Sequence, residues 1–545
     1  MPLSLCSSLP QLILYSPVAA CALISLFYSR ELPKRCFSIS FVISNQLYMS
    51  KKSYSFHLVL CLLVALFACQ EEKNADKSDG TADKQNISLP NIIYILADDL
   101  GYGDLGCYGQ EKFTTPNIDA LAQAGLLFTQ HYSGSTVCAP SRSALLTGQH
   151  TGHTYIRGNK EVRPEGQHPI PESAFTIAEL LKSSGYTTGA FGKWGLGFPG
   201  STGDPMKQGF DTFYGYNCQR FGHHYYPNHL WSNTDSIPLA ANADAQNGTY
   251  APELIHEKTL AFIEDNQNQP FFLYVPSIIP HAELAAPDSY MEKHLGKYPP
   301  EKTYEGTDDG PKFRKGPYAS QEHTHAAFAA MIEILDDQVG EIVQKLEELG
   351  LSEKTLVIFT SDNGPHREGG ADPEYFDSNG PLKGFKRDLY EGGIRVPMIA
   401  KWPGKIAPGT TTDHVSAFWD LFPTIADLVR VDQPDNLDGI SFLPTLRGKT
   451  EAQAQHEYLY WEFHERGGRL AIRKGDWKAV RYQVLKNPEA PLELYDLSKD
   501  IGETTDLANQ HPEIVKEMEG IFEKARTPSE VFSFGESTYL NPDQK

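Results

Sequence analysis

The stretch Asn91-Ile92-Ile93-Tyr94-Ile95-Leu96-Ala97-Asp98-Asp99 decides the fold. A continuous apolar run ending in acids suits a strand buried on both faces, as in a parallel sheet covered by helices. Residues 355–364, TLVIFTSDNG, repeat the design and end in Asp362-Asn363-Gly364. Helical patterns lie between and around them: TPNIDALAQAGL (115–126), FTIAELLKSSG (175–185) and AAFAAMIEILDDQVGEIVQKLEELG (326–350), the last stopped by Gly350. FFLYVPS (271–277) and VPMIAKWP (396–403) supply further strands. Strand and helix alternate, so the class is α/β, a mostly parallel sheet sandwiched by helices. Residues 286–320, rich in Pro, Lys, Glu and Gly, read as a long loop of the kind that shapes a site. After about residue 452 the pattern changes to short strands, EYLYWEF, RLAIRKGDWKAVRYQV and LELYDL, and a last helix near HPEIVKEMEGIFEKA. The organisation predicted is therefore a catalytic domain over 89–451 and a smaller α+β domain over 452–545, a short antiparallel sheet plus helix.

Composition bounds the function. The 545 residues are 40% hydrophobic and 21% charged, ordinary for a large globular core. A formal charge of -21 argues against nucleic acid or an anionic membrane as a partner, since both need a basic face. An anionic substrate must therefore meet a local cationic pocket.

Residues 51–69, KKSYSFHLVLCLLVALFAC, have a basic start, an apolar run and a Cys end, which is the build of a signal peptide. Leu66-Phe67-Ala68-Cys69 resembles a bacterial lipobox, making Cys69 the expected lipidation site, with 49–69 the signal peptide and the polar run 70–88 a tether. Residues 1–48 precede Met49 and read as an overextended start or a leader. The expectation is an exported protein, held by a lipid anchor in the periplasm or on the outer surface of a Gram-negative bacterium. Of eight Cys, four lie in the leader and Cys69 takes the lipid, leaving Cys107, Cys138 and Cys218. These make no disulfide framework.

Ligands of open parallel sheets bind outside the carboxyl ends of the strands. Asp98 and Asp99 from one strand, and Asp362 and Asn363 from another, bring hard oxygen donors to that edge. Such donors favour Ca²⁺ or Mg²⁺ over zinc. Either pair alone is equally well a helix cap or turn; both together point to a metal. Cys138-Ala139-Pro140-Ser141-Arg142 then opens a helix, placing the Cys side chain at a helix N-terminus with Arg142 beside it, a ready anion site. A lone Cys is most often a small buried hydrophobe. Gly101-Tyr102-Gly103-Asp104-Leu105-Gly106 matches a dinucleotide fingerprint, but two acids stand beside it and no helix opens directly after it.

CAPSRSALLTG (138–148) resembles the C-x-P-x-R signature of type I sulfatases, alkaline-phosphatase-like enzymes whose Cys is oxidised to formylglycine. The resemblance runs through NIIYILADDLGYGDLGCYG, GYTTGAFGKWGLG, PLKGFKRDLYEGGIRVP, RKGDWKAVRY and ELYDLSKDIGET, essentially the whole mature chain. It implies that Asp98, Asp99, Asp362 and Asn363 bind calcium, in preference to magnesium, together with the modified Cys138. It implies that Arg142, Lys193, His281 and Lys386 surround the sulfate. The partners implied are a sulfate ester of a small molecule or oligosaccharide, cleaved in exo fashion, and a formylglycine-generating enzyme during biogenesis. One departure stands out: the family's G-K-W-H-L-G reads Gly192-Lys193-Trp194-Gly195-Leu196-Gly197. A His that contacts the formylglycine hydroxyl is missing, and His223, His224, His150 and His153 are the candidates to replace it or to bind substrate. Rival expectations are a phosphate or phosphonate ester hydrolase of the same superfamily, and an inactive glycan-binding surface lipoprotein.

Overall fold

The computed structural model describes residues 89–532. The leader, the signal peptide with Cys69, and the whole tether lie outside the described residues. So do the last thirteen residues of the 452–545 segment.

The run that opens the argument forms β1 (Asn91–Ala97), buried along its whole length. Its alternate residues serve two cores. Ile93, Ile95 and Ala97 pack on one face, with the helices Ala251–Asp265 and Thr324–Glu348. Ile92, Tyr94 and Leu96 pack on the other, with the helices Ile177–Ser183 and Leu421–Val429. Each side chain so buried contributes roughly 1.5–3 kcal/mol, which is why the strand reads as unbroken apolar sequence and not as an alternation.

In chain order the remaining strands of the main sheet are β2 (Leu126–Tyr132), β3 (Thr187–Lys193), β4 (Thr212–Tyr216), β5 (His229–Ser232), β6 (Asp235–Pro238), β7 (Phe271–Pro276), β8 (Thr355–Ser361), β9 (Arg395–Lys401), β10 (Thr410–Thr412) and β11 (Ser416–Ala417). They run β10-β2-β9-β8-β1-β7-β3-β4-β5-β6 across the sheet, with β11 beside β2. β8, β1, β7, β3 and β4 are parallel, and β9 returns antiparallel beside β8. This is the mixed, mostly parallel sheet between helices that the α/β pattern predicts. Two helix ends follow from local chemistry: Thr176 and Glu179 form a reciprocal capping box before Ile177, and Gly350, at φ +66°, closes the long helix. The segment 286–320, read as loop throughout, carries one short helix, Asp288–His294.

A second sheet follows, β12 (Leu459–Phe463), β13 (Arg469–Lys474), β14 (Trp477–Tyr482) and β15 (Glu493–Asp496), antiparallel in that order, with the helix Pro512–Lys524 against it. It shares a core with the first sheet: Trp461 and Leu459 pack with Tyr132, Val137 and Trp419, and Trp461 Nε1 donates to Ser133 O at 3.0 Å. The chain from Ser88 onward forms one compact unit, so the change of pattern near 452 marks a change of sheet within it.

Candidate active site

β1 and β8 are parallel neighbours with Ala97 opposite Ser361. The next residues on each strand are therefore side by side: Asp98 and Asp99 meet Asp362 and Asn363 at one sheet edge, all fully buried. Asp99, at φ +65°, turns its backbone N–H to Asp362 Oδ1 at 3.1 Å. Such a conformation is costly for a residue with a side chain and is kept where surroundings enforce it.

The helix Cys138–Thr147 begins at the same edge. Its N-cap, Val137, is extended and offers no side-chain acceptor, and Pro140 sits in the first turn, where a backbone N–H is dispensable. Cys138 Sγ lies 3.3 Å from Asp98 Oδ1. One turn on, Arg142 grips Asp362 through Nε at 3.1 Å and Nη2 at 2.8 Å, reaches toward Asp98 at 3.7 Å and donates to the carbonyl of Lys193. Lys193, the last residue of β3, places Nζ 2.6 Å from Asp98 Oδ2 and 3.6 Å from Cys138 Sγ. Lys386 Nζ lies 2.7 Å from Asp99 Oδ2 and 2.8 Å from His281 Nε2. His281 is itself 3.3 Å from Asp99.

The electrostatics follow from burial against pairing. Burial raises the Asp98 carboxyl, but the charges of Lys193 and Arg142 outweigh it and hold it well below the usual range. Asp362 goes the other way: burial, and then the charge of Asp98, raise it to about 7. Burial and Asp98 also push the Cys138 thiol well above its ordinary range, so the encoded side chain is a neutral thiol and a poor nucleophile. Burial, with Lys386 and Lys193, keeps His281 neutral.

Whether this donor set fits a metal is decided by Asn363. Its Nδ2 donates to Asp99 Oδ1 at 2.6 Å and to Gly364 O at 2.9 Å, while its Oδ1 is buried with no hydrogen-bond partner. An orphaned acceptor oxygen beside three crowded carboxylates is the arrangement that a bound cation would complete. Asp98, Asp99, Cys138 and His281 each present a ligand atom within 4.8 Å of the others. With Asp362 and Asn363 at the same edge, four of these six side chains offer oxygen, which fits a hard divalent ion.

Above this floor opens a cavity of about 600 Å³ whose lining includes Cys138, Gln219, His223, His281, Glu368 and Lys386. Of the four histidines considered as replacements at Gly195, the structure brings only His223 there, stacked on His281 with ring centroids 4.3 Å apart. His224 is buried against Glu283, 3.2 Å away. His150 and His153 lie elsewhere: they stack on each other around Asp438 and neither lines the cavity, because the loop after the helix Cys138–Thr147 carries them to its far end. Sequence reading missed Glu368, which pairs with Lys386 at 3.2 Å and with Arg387. It also missed Gln219. Tyr318, from the segment read as site-shaping, lines the cavity and donates to Glu368 at 3.1 Å.

Known proteins share this build. Residues 90–431 match the sulfatase family model, and residues 383–527 match the model for the C-terminal part of N-sulphoglucosamine sulphohydrolase. Human arylsulfatase A is 35% identical over 474 residues, covering 78% of this chain and 86% of its own. The N-acetylgalactosamine-6-O-sulfatase of Bacteroides thetaiotaomicron is 31% identical, covering 85% and 97%. The crystal structure of Ps i-CgsB with k-i-k-neocarrahexaose superposes with a TM-score of 0.66 at 29% identity, covering 83% and 96%. With the acid edge, the C-x-P-x-R helix and the lysines gathered around one cysteine, the chain belongs to the sulfatase family, sulfuric ester hydrolases of alkaline-phosphatase-like fold.

Proposed function

We propose that this sulfatase removes sulfate from sulfated saccharides in exo fashion, through a formylglycine made from Cys138 and a bound Ca²⁺. The observation that carries the reading is the placement of Cys138, 3.3 Å from Asp98 and 3.6 Å from Lys193, at the floor of a cavity that Lys386 and His281 also line. A neutral thiol there does no chemistry on its own, which supports its use as a precursor.

As a hydrated aldehyde, position 138 supplies two hydroxyls on one carbon, one to attack sulfur and one to drive sulfate off afterwards. Asp98, Asp99, Asp362 and Asn363 would hold a Ca²⁺, which would supply Lewis acidity toward the sulfate. The chain's own residues do the rest. Arg142, Lys193 and Lys386 stand where negative charge grows as the sulfur–oxygen bond breaks, and they are already oriented by Asp362, Asp98 and Asp99. His281 and Lys386 hold a proton between Nε2 and Nζ, at the place where a departing sugar alkoxide needs one. Tyr318 and Gln219 close the sides of the cavity. The balance is one ester and one water giving an alcohol and sulfate.

The name of one relative, an N-acetylgalactosamine-6-O-sulfatase, and the k-i-k-neocarrahexaose bound to Ps i-CgsB support a saccharide sulfate as substrate. The resemblance of Leu66-Phe67-Ala68-Cys69 to a lipobox supports export and lipid anchoring in the periplasm or on the outer surface of a Gram-negative bacterium. The test pairs two measurements on protein produced with a formylglycine-generating enzyme. Mass analysis of the peptide bearing position 138 reads thiol or aldehyde. Sulfate release is then followed over a panel of sulfated galactose, N-acetylgalactosamine and glucosamine sugars, beside 4-nitrophenyl sulfate and phosphate. A thiol in fully active protein, or faster phosphate than sulfate hydrolysis, overturns the reading.

A further inference from the structure

Gly195 and Gln219 compete for one volume. Trp194 and Gly195 extend the ladder of β3 against β4, their N–H groups donating to Tyr216 O at 2.8 Å and Asn217 O at 2.9 Å. That pins the backbone of residue 195 beside the segment that carries Gln219. A β-carbon at 195 would lie 1.8 Å from Gln219 Nε2 and 2.9 Å from its Cδ. Gly195 also sits at φ +78°, where a side chain is strained. Any other residue at 195 would therefore expel the carboxamide.

Gln219 as a whole is only 5% exposed, yet neither Oε1 nor Nε2 has a hydrogen-bond partner. The backbone N–H is the part of Gln219 that is held, donating to Gln167 Oε1 at 3.3 Å. Burying an amide with both ends unpaired is unfavourable unless something completes it. Gln219 lines the cavity that also holds Cys138, His281 and Lys386, so the group that completes it is a ligand.

The two orphaned ends say what kind of group. Sulfate ester oxygens only accept, so they would leave Oε1 unpaired, and Arg142, Lys193 and Lys386 already supply their donors. A sugar hydroxyl both donates and accepts and satisfies both ends of a carboxamide. We propose that Gln219 is a specificity-determining residue that binds a hydroxyl of the saccharide beside its sulfate ester, and that glycine at 195 is the space it requires. The inference rests on the saccharide sulfatase reading of this cavity.

The experiment compares 4-nitrophenyl sulfate, which has no hydroxyl, with the panel sugar that the wild type desulfates fastest. Gln219→Ala raises KM for the sugar roughly tenfold to a hundredfold, the loss expected for an unpaired hydroxyl, with a smaller change in kcat. Its loss of kcat/KM on 4-nitrophenyl sulfate is at least about fivefold smaller than its loss on the sugar. Gln219→Met, which keeps the volume and removes both polar atoms, gives the same selective loss with an unchanged Tm, so a folding defect is told apart from a lost contact. Gly195→Ala reproduces the selectivity change, and combining it with Gln219→Ala adds no further loss of selectivity. Equal loss on both substrates, or loss on neither, overturns the proposal, as does a wild type that hydrolyses 4-nitrophenyl sulfate but no sugar. A wild type that releases sulfate from nothing while carrying the aldehyde refutes the sulfatase reading itself, and this inference with it.

Discussion

Lys386 Nζ lies 2.8 Å from His281 Nε2, a charged amine donating to a neutral ring, with Nδ1 of that ring turned to the carbonyl of Ala282. Burial, Lys386 and Lys193 all disfavour the imidazolium, so the pair keeps its proton on the lysine, and the ring holds that ammonium in place. His281→Ala should then lower kcat on a sugar sulfate by about 10²- to 10⁴-fold. On 4-nitrophenyl sulfate, whose leaving group needs no proton, the loss should be much smaller. Measuring kcat over leaving groups of graded acidity checks it; equal losses would refute the proton role.

Arg142 is fully buried and holds Asp362 through two nitrogens. Removing one partner of a buried pair leaves the other uncompensated, at a cost of roughly 3–5 kcal/mol. Arg142→Ala is expected to lose activity and to lower Tm by several degrees, while Arg142→Lys, which keeps charge but not the fork, recovers part of the stability only. Thermal denaturation and turnover on the same samples check both.

The orphaned Asn363 Oδ1 makes a binding prediction. Chelation with EGTA should abolish turnover and lower Tm, and calcium should restore both. Stabilisation should grow with free calcium to about 2.7 kcal/mol at roughly a hundred times Kd. In Asn363→Ala the calcium titration should shift to about tenfold higher concentration, and a Tm indifferent to calcium in both proteins would count against the site.

Glu462 ties the second sheet to the catalytic part: His464, Arg157 and Arg526 contact its carboxylate at 2.9, 3.2 and 2.8 Å. Burial raises this acid, but the hydrogen bond from His464 and the arginines win and bring it from 4.5 to about 2. A carboxyl lowered on folding stabilises fully above its unfolded value and loses that stabilisation as pH falls through the folded one. The wild type should therefore lose roughly 3 kcal/mol more than Glu462→Gln between pH 4.5 and 2. Urea denaturation at stepped pH compares the slopes; parallel curves would dismiss the linkage.

Much of the catalytic part was legible because its signals are local. NIIYILADD and TLVIFTSDNG carry their own burial pattern and their own terminal acids, and the helix that starts at Cys138 follows from Pro140 and the residues after it. The segment 286–320 read as loop because Pro, Lys and Gly hide a two-turn helix at Asp288–His294, too short to show a period. His150 and His153 misled because nearness in sequence to Cys138 is not nearness in space; a helix of ten residues separates them from it. Glu368 sits in a stretch with no periodicity, and nothing in its surroundings marks it until Lys386 and Arg387 arrive from elsewhere in the chain.

The sequence by itself determined the strands, the acids at their tips, the cysteine at a helix start and the missing histidine at Gly195, since each depends on neighbours within a turn or a strand. Tertiary structure alone decided that β1 and β8 lie in register, that two lysines and an arginine gather on the acids beside one thiol, and that Gln219 fills the room left over Gly195. Those are relations between segments tens to hundreds of residues apart, and only packing brings them within hydrogen-bond distance.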